Sequence, residues 1–94
     1  MERLTRVLGN HDLYVVDDLT VNHDGNGYTG AAITKLAKFE NIYEDLLASQ
    51  NEISKDLEKL RNEGKTKTVT FRELMVKKLN NVTIINLFQT YGLK

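Results

Sequence analysis

The sequence predicts an α+β fold. It has a small N-terminal antiparallel β-hairpin or three-stranded meander, one long heptad-patterned helix and two short C-terminal helices. Three observations lead there. Apolar and polar residues alternate up to about residue 23, the segment Asp24-Gly25-Asn26-Gly27 then breaks the pattern, and beyond it the apolar spacing becomes threes and fours with no proline to interrupt it. Ninety-four residues suit a single small domain, divided into a β region (1–27), a long helix (28–64) and a C-terminal helical pair (65–94).

Within the β region, Gly9-Asn10 fits a two-residue hairpin turn, because glycine accepts the positive φ needed at its first central position. That turn sets Leu8 opposite His11, Arg6 opposite Leu13 and Leu4 opposite Val15. A second reversal near Asp17-Asp18 sets Leu13 opposite Val21 and His11 opposite His23. Side chains alternate along a strand, so both pairings gather Leu4, Leu8, Leu13, Val15, Leu19 and Val21 on one face, the expected core side.

From about Tyr28 the period is helical. Leu36, Phe39, Tyr43, Leu46, Gln50, Ile53, Leu57 and Leu60 form a heptad seam. A continuous helix from about residue 30 to 63 would be roughly 50 Å long at 1.5 Å per residue. A break at Ser49-Gln50-Asn51 would fold it into a hairpin, but the unbroken register favours continuity. Gly64 is placed as a left-handed cap with Arg61 in the last turn. Thr70 with Glu73 makes a capping box and Val69 with Leu74 a hydrophobic staple, so a new helix is expected at Phe71. Asn80-Asn81 should end it near Leu79, leaving a last helix from about Val82 to Tyr91, stopped by Gly92.

Composition limits the function classes. With no cysteine there is no disulfide, thiolate nucleophile or thiolate metal site. Residues 1–6, Met-Glu-Arg-Leu-Thr-Arg, are too charged for a signal peptide, and no apolar run reaches membrane-spanning length, which leads us to expect a protein of the host cytosol with no membrane partner. The formal net charge of zero hides polarity: residues 39 to 58 hold six acids against Lys55 alone, and residues 65 to 94 hold six bases against Glu73 alone. The acidic residues Glu40, Glu44, Asp45, Glu52 and Asp56 are the candidate partner-binding set. Lys77, Lys78 and Arg72 give the C-terminal helices a thin basic face, too weak for a DNA reader, which argues against direct nucleic-acid binding.

Two segments suggest metal chemistry. Gly9-Asn10-His11-Asp12 looks like the metal-binding turn of metallophosphoesterases. That two-metal centre needs an aspartate-rich upstream half, and the eight residues before Gly9 contain neither Asp nor His, so such a hydrolase is disfavoured and no catalytic residue is assigned. His11 and His23, each followed by an aspartate, would face each other at roughly 5 Å in the expected register and could share a zinc ion, with Asp24 or Asp12 completing the set. Asp24 to Tyr28 also resembles the start of a calcium loop, but the residue at its twelfth position would be Lys35, which cannot coordinate a cation.

The opening MERLT, the stretch GYTGAAITKLAKFENIYEDL (Gly27 to Leu46) and the tail TFRELMVKKLNN with LFQTYGL resemble short proteins encoded in prophages of streptococci and related Firmicutes. That resemblance implies a phage setting without a fixed activity. By class it extends to the anti-CRISPR proteins, which implies a non-catalytic inhibitor of a host protein, most concretely Cas9. The alternatives are a structural or assembly protein forming a homodimer through the heptad seam and a small zinc-binding protein.

Overall fold

In a computed structural model the chain is described over residues 2–93, with the side chains of Asn10, His11 and Asp12 outside the described set. The elements are β1 (Thr5–Leu8), β2 (Asn10–Val16), a 3-10 turn (Asp18–Thr20), β3 (Asn22–His23), β4 (Tyr28–Thr29), α1 (Ala31–Asn62) and α2 (Val69–Thr90). The fold is therefore α+β, with two separate two-stranded hairpins and two helices in place of a meander and three helices. The chain divides into two compact units, Met1–Glu40 and Asn41–Lys94.

In the first unit β1 and β2 pair antiparallel with Thr5 opposite Val16, Arg6 opposite Val15 and Val7 opposite Tyr14, before an irregular step to Leu8 opposite Asn10. The expected register, Arg6 opposite Leu13, is thus displaced by two residues. A bulge in β2 absorbs the excess, and the gain is an aromatic and a β-branched residue paired across the strands, Tyr14 with Val7. An even displacement preserves side-chain parity, yet of the expected core face only Leu4 and Val15 in this hairpin are half-buried, while Leu8 and Leu13 are exposed and Val16 of the opposite parity is half-buried as well.

The third strand of the expected meander does not form. After β2 the chain closes a 3-10 turn through Thr20 N–H to the Asp17 carbonyl (2.9 Å), reinforced by the Thr20 hydroxyl donating to the same oxygen (2.7 Å). Leu19, assigned to the core face by strand alternation, lies in this turn and is 95% exposed, because the period of two does not hold in 3-10 geometry. β3 then pairs with β4, Asn22 opposite Thr29 and His23 opposite Tyr28. The Asp24 to Gly27 segment, expected to end the β region, is instead the turn of this second hairpin. Asp24 Oδ1 accepts from Asn26 N–H at 3.0 Å, and the Asp24 N–H donates to the Gly27 carbonyl at 3.1 Å.

The second unit is a helical hairpin. α1 runs without interruption through Ser49-Gln50-Asn51, as its unbroken heptads require. It ends where expected: Gly64 adopts φ 70°, Lys65 N–H donates to the Leu60 carbonyl (2.8 Å) and Gly64 N–H to the Arg61 carbonyl (3.0 Å), closing a Schellman cap. A short loop leads to α2, which starts two residues earlier than the Thr70–Glu73 box implies. Thr68 is the actual N-cap, extended at φ −83° and ψ 158°, and its hydroxyl accepts from Phe71 N–H at 3.2 Å.

α2 is a single helix of 22 residues where two were expected. Asn80-Asn81 do not break it, because Asn81 is buried at the centre of the interface and donates through Nδ2 to Ser49 Oγ on α1 (3.2 Å). A partner on the facing helix removes the incentive for asparagine to bond its own backbone and start a cap. Gln50 Nε2 donates to the Lys78 carbonyl (3.2 Å), Tyr43 and Phe88 meet with ring centroids 5.6 Å apart, and the Arg61 guanidinium lies 5.5 Å from the Phe71 centroid. These contacts run in opposite order on the two helices, so the pair is antiparallel. The seam is occupied as drawn from the sequence over this unit: Tyr43, Leu46, Gln50 and Leu60 are half-buried, Ile53 is 3% exposed and Leu57 is fully buried.

Two stability outcomes follow from this packing. Leu57→Ala should lower the unfolding free energy by about 2–5 kcal/mol in a urea titration, the usual cost of emptying a buried leucine site. Gln50 Oε1 is buried without a partner, and the carbonyl that Gln50 donates to lies within α2. Gln50→Leu should therefore leave the midpoint unchanged or raise it, since it removes an unsatisfied acceptor.

Candidate interaction surfaces

The surfaces of the second unit follow from which side of each helix the seam consumes. Leu46, Ile53 and Leu57 turn toward α2, which leaves Glu44, Asp45, Glu52 and Asp56 exposed on the other side of α1. Asp45, Glu52 and Asp56 follow at intervals of seven and four, so they share one flank of the helix. Their charge is little compensated. Lys55 Nζ approaches Glu52 at 3.9 Å with both side chains about 70% exposed, and among the described residues no other cation lies within ion-pair distance of these four acids. Glu40, the remaining acid of the expected set, is exposed at the end of the first unit.

α2 carries a surface that the sequence reading missed. Opposite its α1-facing side lie Val76, Leu79 and Leu87, respectively 53%, 59% and 57% exposed, with Thr83 and Thr90 between and beyond them. Both threonine hydroxyls are already engaged: Thr83 Oγ1 donates to the Leu79 carbonyl (3.0 Å) and Thr90 Oγ1 to the Asn86 carbonyl (2.8 Å). The signal was present as the absence of any charged residue from Leu79 to Leu93.

In the first unit the expected histidine pair is not set up by strand pairing, because β3 pairs with β4 and no ladder places His11 opposite His23. His23 instead packs edge-on against Tyr28 at 4.9 Å between ring centroids, and Asp24 is committed to its turn. The side chains of His11 and Asp12 lie outside the described residues, and among those described no three of His, Asp or Glu gather closely enough to hold an ion. The same unit has an apolar groove of about 420 Å³, walled by Val16, Val21, Ile33, Leu36 and Phe39. The first two seam residues, Leu36 and Phe39, face this groove and remain 55% and 41% exposed. Among the described residues no helix is long and apolar enough to cross a membrane.

Comparison with protein-family models, curated proteins and solved structures finds no match to this chain.

Gly30 packs against the chain at Thr20 and Val21, and Val21 is part of the groove wall. At φ 120° it brings the chain so close to the 3-10 turn that an added Cβ would collide with the Thr20 carbonyl. Gly30→Ala should cost about 1–3 kcal/mol in backbone strain alone. Amide exchange should speed up around Thr20 and Val21 while the amides of Ile53 and Leu57 stay protected.

Proposed function

We propose that this chain is a non-catalytic protein that binds a basic surface of a host protein and blocks it. The observation that carries the reading is the flank of α1: Asp45, Glu52 and Asp56 stand exposed in a row, with Glu44 on the adjoining face, on a helix braced by α2 and with little internal neutralisation. A row of fixed negative charge on a rigid support attracts a positively charged groove, speeds encounter with it and competes with polyanions for it. The sequence resemblance to prophage proteins supports a host target, and Cas9 is the concrete one because its heteroduplex channel is positively charged.

Binding of purified Cas9 to the wild type and to a variant carrying Glu44→Lys, Asp45→Lys and Glu52→Lys, measured by association kinetics at low and moderate salt, tests the reading. The triple reversal should slow association at least tenfold at about 0.1 M salt and flatten its salt dependence, with helicity unchanged. An unaltered association rate would remove the acidic flank from the contact. Absence of wild-type binding at every salt concentration would remove Cas9 as the target.

A further inference from the structure

We propose that the outer face of α2 is a homodimer interface, on which a second copy of this chain docks antiparallel about a two-fold axis near Thr83. This goes beyond the binding reading above and does not depend on it, since the acidic flank belongs to α1. A two-fold contact lays a patch on itself, so any net charge in the patch would repel its own image. The face from Leu79 onward has none, and the hydroxyls of Thr83 and Thr90 are already bonded to their own helix. The axis sets Leu79 against Leu87 and Val76 against Thr90 of the second copy, so the two large side chains meet each other and the smaller ones pair at the ends.

Charge decides the direction of packing. Of the charged residues in the first half of α2, Arg72, Glu73, Lys77 and Lys78, only Arg72 falls on the outer face, one turn before Val76. A parallel dimer would bring the two Arg72 side chains together, whereas the antiparallel one holds them at opposite ends of the contact and opposes the helix dipoles. The amount of surface suits a weak dimer. Val76, Leu79 and Leu87 on this face, with Tyr91 at its edge, stay more than half exposed and together offer on the order of 500 Å² per copy, below the roughly 800 Å² per partner of a standard interface.

The chain has no cysteine, so single introduced cysteines report the geometry cleanly. Sedimentation equilibrium of the wild type between about 1 and 300 μM should show a monomer–dimer equilibrium within this micromolar-affinity range. The variant with both Leu79→Asp and Leu87→Asp should be monomeric throughout and retain wild-type helicity. Thr83→Cys should link to itself on mild oxidation, and an equal mixture of Leu79→Cys and Leu87→Cys should link far more than either alone. A wild type that is monomeric at every concentration, a double variant that still dimerises, or self-linking of Leu79→Cys exceeding that of the mixture would overturn the proposal. If the double variant loses helicity, the cysteine pattern decides alone.

Discussion

The helical unit depends on the burial of Ile53 and Leu57 against α2. No other large apolar side chain among the described residues is fully withdrawn from water, and the neighbours along the seam are only half covered. A two-helix layer has no second wall, so each helix can bury only the stripe facing its partner. Much of the remaining order must be local: backbone bonds along two long helices, a Schellman cap at Gly64 and a side-chain cap at Thr68. The unpaired stripe on α2 follows from the same constraint, since a helix apolar on two sides needs two partners and this unit supplies one.

Between the apolar contacts lies a polar layer. Asn81 meets Ser49, and Gln50 reaches the Lys78 carbonyl one turn away. Its net contribution to stability is small, and one of its acceptors goes unpaired. Its effect is on register: sliding the helices by one turn would bring Asn81 against Leu46 or Ile53 and bury an amide with no partner. The layer therefore selects one antiparallel alignment out of several that the leucines alone would accept.

How much of this was legible depends on whether a signal was local or collective. The seam from Tyr43 to Leu60 could be read because six residues repeat the alternating spacing of three and four, and the end of α1 because glycine at Gly64 has one dominant use. Asn80-Asn81 misled because cap preference is local, whereas the partner that overrides it lies 32 residues away. Thr68 and Thr70 are equally plausible caps by residue type, and only backbone geometry distinguishes them. The meander failed for a related reason. Strand alternation fixes parity and not partners, so β3 could satisfy the same pattern by pairing with β4. With that exchange the cross-strand placement of His11 and His23 disappeared as well. The acidic flank was readable as composition, but that it is free of the interface required knowing which side α2 covers.

The short loop between the helices determines the kinetic order of their association. With Gly64 and the residues up to Thr68 intact, α1 and α2 meet at a roughly millimolar effective concentration, so their pairing does not depend on how dilute the protein is. Lys65 and Lys67 stand exposed in that loop, within reach of a trypsin-like protease. One cut there would leave every contact of the hairpin in place and yet turn folding of the unit into a bimolecular reaction. A fold whose fully buried apolar side chains are Ile53 and Leu57 would then come apart on dilution.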